Sequence, residues 1–321
     1  MNRDLTCYLS LLVALLAMTP TLIERTLRKA FTVHNSGIVI ITGTSSGIGR
    51  ATCAHLAEKH PSVIFYCGVL ADKEGTGYPF TLDNVEPVIL DVTKDEDVKN
   101  VISKVKESGL PLIGVFNNAG VTKVAPVEFQ HLDTYRWHFD VMPFGTFRLT
   151  QAAIPLLRES KGRIVITSSI AGRIPSSPLN AAYHGSKKAL EALGDSLRME
   201  LSPLGVSVSL IEPGVLETDM TKKVLKEIEE AIKRLQTDSS VNPEVANVYP
   251  HLRNAAKFEK SLALLRNVGK MEETCKAVDD AMFGIYPKTR YVTAVVGQLP
   301  AWIFVKMCDM MHDRVADLLS S

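Results

Sequence analysis

The segment from Gly37 to His60, GIVIITGTSSGIGRATCAHLAEKH, limits the choice of fold more than any other part of the chain. Gly37 to Thr42 is a short apolar, β-branched run, as a strand buried on both faces requires. Gly43, Gly47 and Gly49 follow it, and a helical pattern follows them. Glycines let such a turn tighten and let backbone approach a pyrophosphate. The start of the helix then offers free N–H groups and a positive dipole end to the anion. Glycine spacing alone is a weak signal. Strand, glycines and helix in that order make a dinucleotide-binding turn the expectation, with Ser45, Ser46 and Ile48 in the same loop.

The alternation continues downstream. Ser62–Cys67, Val85–Leu90, Leu112–Phe116, Gly162–Thr167 and Val206–Ile211 read as strands. Lys94–Glu107, most of Leu132–Leu157, and Ala181–Leu201 read as helices, with Leu190, Leu193, Leu197 and Leu201 striping the last. Tyr291–Val296 makes a seventh strand at a sheet edge. Strands alternating with helices predict an α/β fold, a Rossmann-like doubly wound parallel sheet of about seven strands. Ligands of such sheets lie beyond the carboxyl ends of the strands. Gly43, Asp91, Asn117, Ser169 and Pro213 all fall at such ends, which gathers one crevice.

Three regions are expected: an apolar anchor with a basic flank over 1–35, the Rossmann-like domain over 36–298, and an apolar tail over 299–321. Within the domain, 218–271 turns charged and helical, as a lid over the crevice would. Leu5 to Ile23 is free of charge, nearly long enough to cross a hydrocarbon core of about 30 Å. Arg25, Arg28 and Lys29 follow it, so the positive-inside rule puts the domain in the cytosol. A cleaved signal peptide, or a hairpin or interfacial anchor broken at Pro20, are the rival readings. The net charge of +1 gives no reason to expect nucleic acid as partner. The five cysteines are odd in number and scattered, with no Cys-x-x-Cys. They are expected as reduced thiols, and no metal site is expected.

The chemistry centres on Ser168 to Lys187, SSIAGRIPSSPLNAAYHGSK. Tyr183 and Lys187 are four apart and stack on one helix face. An ammonium beside a phenol is expected to lower its pKa and make it usable as a general acid or base. Ser169, at the strand end upstream, can hydrogen-bond the same substrate oxygen.

Taken in order, TGTSSGIG from Thr42, LDVT from Leu90, NNAG from Asn117, Ser168-Ser169, YHGSK from Tyr183 and Pro213-Gly214 resemble the short-chain dehydrogenase/reductase family over roughly Gly37 to Val296. The resemblance implies catalytic roles for Ser169, Tyr183 and Lys187, with Tyr183 the proton donor or acceptor and Lys187 on the nicotinamide ribose. It implies an NAD or NADP site drawn from Gly43, Ser45, Ser46, Gly47, Ile48, Gly49, Asp72, Asp91, Val92, Asn117, Ala119, Gly120, Pro213, Gly214, Val215 and Thr218, besides Tyr183 and Lys187. With an anchor, the layout resembles retinol and hydroxysteroid dehydrogenases, which implies a lipophilic substrate and a membrane such as the endoplasmic reticulum. A short hydroxyacid is the alternative substrate, and a homodimer is left open. One position departs: Met142 stands where relatives usually carry an Asn of the proton relay, so a catalytically impaired nucleotide-binding protein is a further alternative. NAD is favoured, because Leu70 and Ser46 stand where NADP-preferring relatives often place basic residues. Asp72 is a candidate acceptor for a ribose hydroxyl.

Overall fold

A computed structural model describes residues 28–70, 82–176, 178–227 and 268–310. The proposed anchor, Asp72, most of the lid segment and the end of the tail lie outside the described residues.

The first strand, β1 (Gly37–Ile41), is completely buried and runs into the glycine turn and helix α1 (Gly47–Lys59). β2 (Val63–Val69) and β3 (Val85–Ile89) come next, and then α2 (Asp95–Glu107). α2 carries Asp95, Glu96 and Asp97 in its first turn and Lys104 and Lys106 in its last, each sign facing the dipole end that favours it. After β4 (Leu112–Asn117), the long helical stretch comes in pieces. These are α3 (Leu132–Phe139), one π-turn over Asp140–Phe144, and α4 (Gly145–Ser160). Pro143 lies in the π-turn and has no N–H to donate, which is why the expected single helix breaks there. β5 (Arg163–Thr167), α5 (Ala181–Leu201) and β6 (Ser207–Pro213) complete the motif-bearing half. α6 (Met271–Phe283) and β7 (Arg290–Thr293) follow.

The seven strands form one sheet in the order β3-β2-β1-β4-β5-β6-β7, with every pairing parallel. The order reverses between β1 and β4, so their carboxyl ends diverge into a crevice, as doubly wound sheets require. One apolar layer joins the sheet to α2, α4 and α5 through Val98, Leu149, Leu157, Leu190 and Leu197. The opposite layer joins it to α1 and α6 through Cys53, Leu56, Val278 and Met282.

Two sequence expectations need correction. The seventh strand stops at Thr293, because Ala294 takes a left-handed φ of 65°. Beyond it, β8 (Val295–Val296) instead pairs antiparallel with β9 (Leu299–Pro300). Among the cysteines, Cys53 on α1 and Cys67 on β2 are joined as a disulfide in the core, whereas Cys275 and Cys308 are free. Adjacent elements bring the two together, a proximity that fourteen residues of separation does not announce. The tail begins with helix α7 (Ala301–Met310), which docks on the domain. Ala301 and Val305 pack against Ile170, while Trp302 stays half exposed. Among the described residues, no helix is long and apolar enough to cross a membrane.

Candidate active site

The turn after β1 is built as an anion cradle. Gly43 and Gly47 hold left-handed φ values of 67° and 56°, a conformation that side chains resist. A Cβ on Gly43 would sit 2.9 Å from the Ala119 backbone. α1 starts with Ser46 at its N-cap, and the Ser46 side chain takes none of the first N–H groups. Its N-terminus therefore presents those groups and the positive dipole end to the cleft, which fits a dinucleotide pyrophosphate. Asn118 ties the strand ends around this turn. Its Nδ2 donates to Thr42 O and Gly43 O at 3.1 and 3.2 Å, and its Oδ1 accepts from Thr167 Oγ1 at 3.1 Å.

The cleft encloses about 450 Å3, within the usual range for a small-molecule site. Gly43, Ser45, Ser46, Gly47, Ile48, Asp91, Val92, Ala119, Gly120, Pro213, Gly214 and Thr218 line it together with Ser169, Tyr183 and Lys187. Three expected contacts do not line it. Gly49 packs beneath the turn, against Gly43 O and Asn118 Nδ2. Asn117 turns its Nδ2 to Thr150 Oγ1 at 3.1 Å, and Val215 spends its backbone pairing with Val295. Asp72 lies outside the described residues. Asp91 accepts from Thr93 N and Oγ1 at 3.0 and 2.7 Å. Burial raises its pKa, but these hydrogen bonds and Lys94 outweigh that and hold the carboxyl below its usual value. Arg148 donates to Val92 O at 2.6 Å and pairs with Asp95 and Asp140, which clamps that loop to α4.

Sequence reasoning missed the cleft residues Val69, Thr93, Val121, Trp137, Val141, Leu216, Met220 and Thr221. Most neighbour a motif residue, and that adjacency was the available signal. Trp137 has none, since α3 carries no motif.

Ser169, Tyr183 and Lys187 come together from the end of β5 and the first turns of α5. Ser169 Oγ lies 3.3 Å from Pro213 O, accepts from Ala171 N at 3.2 Å and hydrogen-bonds Tyr183. Lys187 is buried; its Nζ donates to Thr167 O at 2.7 Å and lies 5.6 Å from the Tyr183 ring centre. Burial lowers the Lys187 pKa to about 7, with Glu191 pulling the other way. The phenol of Tyr183 does not follow expectation. Burial raises its pKa, and the Ser169 hydrogen bond opposes this without reversing it. Desolvation of the phenolate thus sets the direction of the shift.

Met142 is fully buried in the π-turn, with Ser186 Oγ 3.8 Å from its sulfur while that hydroxyl donates to Tyr183 O at 2.7 Å. Thioether sulfur is a weak acceptor, so no strong polar relay passes through this side chain. Ser169, Tyr183 and Lys187 are nevertheless assembled. Met142→Asn is therefore expected to change turnover by less than about tenfold, roughly 1.4 kcal/mol of barrier. The pH profile of turnover for both forms is the check, and a gain of several powers of ten would show that the native relay is disabled.

The model of the short chain dehydrogenase family matches residues 37–229. Among curated relatives, human dehydrogenase/reductase SDR family member 9 is 33% identical over 264 residues, covering 79% of this chain and 78% of the relative. Rat retinol dehydrogenase 16 is 33% identical, covering 82% of each chain. Rat mitochondrial D-beta-hydroxybutyrate dehydrogenase is 30% identical, covering 79% of this chain and 75% of the relative. A solved short-chain dehydrogenase from Streptomyces avermitilis shares the fold at a TM-score of 0.63 and 24% identity, covering 89% of this chain and 95% of that one. The matched span holds the phosphate turn, six of the seven strands of the sheet and the Ser–Tyr–Lys group alike, so this chain belongs to the short-chain dehydrogenases and is an NAD(P)-dependent oxidoreductase.

Proposed function

We propose that the enzyme interconverts a primary or secondary alcohol and its carbonyl on a lipophilic, steroid- or retinoid-like substrate. The observation that carries this reading is the lining of the cleft beside Ser169 and Tyr183. Val121, Trp137, Val141, Leu216 and Met220 are apolar, and Lys187 is the sole cation among the described lining residues. A hydroxyacid would bring a carboxylate with no basic side chain to meet it, and burying that charge unpaired is costly. The retinol dehydrogenases among the relatives support the same reading, while the hydroxybutyrate dehydrogenase keeps the hydroxyacid in the test.

In this mechanism the glycine turn and the α1 N-terminus hold the pyrophosphate. Ser169 steadies the substrate oxygen, and the Tyr183 hydroxyl passes a proton to or from it. Lys187 supplies positive charge beside the phenol. The nicotinamide, when bound, gives or takes the hydride. Panel assays with retinoids, steroids and short hydroxyacids, each with NAD and NADP, test the reading. Turnover confined to hydroxyacids would overturn it.

NAD is the preferred cofactor in this reading. Leu70 is half exposed at the end of β2, and no Arg or Lys other than Lys187 lines the described cleft. Leu70→Arg is expected to shift kcat/KM toward NADP by adding a cation for the 2′-phosphate. A native enzyme that already prefers NADP strongly would refute the assignment.

The segment from Leu5 to Ile23 is proposed to tether the enzyme to the endoplasmic reticulum membrane, where lipophilic substrates partition. Its charge-free length and the basic residues after it support the tether and a cytosolic domain. Protease protection of intact vesicles decides the side, and carbonate extraction tests the tether. Phe144 and Phe147 are exposed one turn apart, and this apolar face suits a homodimer contact.

A further inference from the structure

Behind the catalytic group lies a buried cluster of acids that the reaction described above does not use. Glu191 follows Lys187 by one helical turn on α5, and both are buried. Glu212, on β6, is fully buried. A single nitrogen, Arg290 Nε, serves both acids, at 3.0 Å from Glu191 Oε2 and 3.1 Å from Glu212 Oε1. Arg290 also pairs with Asp195 at 2.7 Å, and Arg198 stands 3.4 Å from the other oxygen of Asp195. Arg173 approaches Glu212 Oε1 at 3.5 Å while pairing with Asp309 on α7 at 2.9 Å.

The cations do not satisfy the two acids. Glu191 Oε1, Glu212 Oε2 and the hydroxyl of Ser168 are buried without a hydrogen-bond partner. Glu191 and Ser168 meet at Gly172, where a Cβ would come within 2.9 Å of both Glu191 Cγ and Ser168 Oγ. Gly172 is three residues past the catalytic Ser169. An acid held one turn from a buried ammonium, with an uncommitted oxygen, favours the charged form of that ammonium. Two buried carboxylates on one guanidinium nitrogen cannot both ionise cheaply, so one of them holds a proton.

We propose that Glu191 is a positioning residue for the reaction, the counter-charge that sustains the Lys187 ammonium, with Glu212 as its protonated partner. The proposal rests on the oxidoreductase reading of the Ser169, Tyr183 and Lys187 group. Burial and the Glu191 charge raise the Glu212 pKa to about 8, against the pull of Arg173 and Arg290, which agrees with Glu212 carrying the proton. Burial lowers Lys187, and Glu191 is the group that resists.

The test uses the full chain and two readouts. The first is the pH profile of kcat at saturating cofactor. Without the Glu191 charge, Lys187 gives up its proton more readily. Glu191→Gln is expected to move the alkaline limb to lower pH by at least about half a unit. Glu191→Asp keeps the charge but withdraws it by one methylene, and should move the limb the same way by less. If Glu191→Gln does not fold, Glu191→Asp carries the test. Lower kcat with the limb unmoved would mean a merely structural residue and would overturn the proposal.

The second readout is thermal unfolding of the unliganded protein from pH 5 to pH 9. It stands even if no substrate is turned over, so the two readings fail separately. A group whose pKa is raised on folding loses its stabilising effect as pH rises from the unfolded value toward the folded one. For Glu212 that window runs from 4.5 to about 8. Glu212→Gln mimics the neutral acid and removes this loss, so it should gain stability over the native chain across the window while leaving the kcat limb in place. A constant difference between the two would show that Glu212 holds no proton.

Discussion

Tyr183→Phe is expected to cut turnover at least on the order of a hundredfold, about 2.7 kcal/mol of barrier, with the fold intact. In the proposed mechanism the Tyr183 hydroxyl is the group that moves a proton at the substrate oxygen. Its removal leaves Ser169 anchored by Ala171 N and Pro213 O, and Lys187 anchored by Thr167 O. The neighbours therefore keep their positions, and dinucleotide affinity should change little. Burial raises the native phenol pKa, which adds a signature. Alcohol oxidation needs the phenolate and should climb with pH, whereas carbonyl reduction needs the phenol and should fall. The Tyr183 contribution to each slope should vanish from whatever activity the Phe variant retains, leaving the alkaline limb that belongs to Lys187. Steady-state assays in the two directions, with nucleotide-fluorescence titration for affinity, make the measurement. Near-native turnover in Tyr183→Phe would end the assignment.

The centre of the sheet was legible because β1, β4 and β5 are short, mostly apolar runs that end in a motif. α5 was legible to the residue, because its leucine stripe has helical period throughout. The legible part of the site was equally local: the glycine turn, and Tyr183 with Lys187 four residues apart. What could not be read depends on distant partners. The break at Asp140–Phe144 needed the packing around Met142 and Pro143 as well as the proline itself. The Cys53–Cys67 pair arises because α1 folds back over β2. Glu212 looks like one polar residue before Pro213-Gly214, and only the crossing of α5, β6 and β7 shows it facing Glu191. The direction of the Tyr183 shift failed for the same reason, since desolvation is a property of the assembled site. Gly49 is a subtler case. Its place in the glycine run suggested contact with the cofactor, yet its role is to let α1 close on the turn.

Gly49→Ala turns that role into the second large effect. In an unconstrained helix interior, alanine in place of glycine is favourable by about 1 kcal/mol. Here the added Cβ would lie 2.3 Å from Gly43 O and 2.5 Å from Asn118 Nδ2. Neither neighbour can retreat freely. Gly43 O belongs to the backbone of the phosphate turn and accepts from the same Asn118 nitrogen at 3.2 Å. Asn118 in turn holds Thr42 O and accepts from Thr167 Oγ1. Thr167 O is where Lys187 anchors. One methyl group thus pushes on the proposed pyrophosphate cradle and, through Asn118, on the residue that seats Lys187. Overpacking of this kind costs about 1–3 kcal/mol, which outweighs the helix preference and reverses its sign. The expected result is lower thermal stability, and dinucleotide affinity weaker by about tenfold or more. Calorimetry of the unliganded variant and a fluorescence titration with NADH read the two effects separately. A Gly49→Ala protein with raised stability and native affinity would show that α1 has room to move, and that the close approach does not define the binding turn.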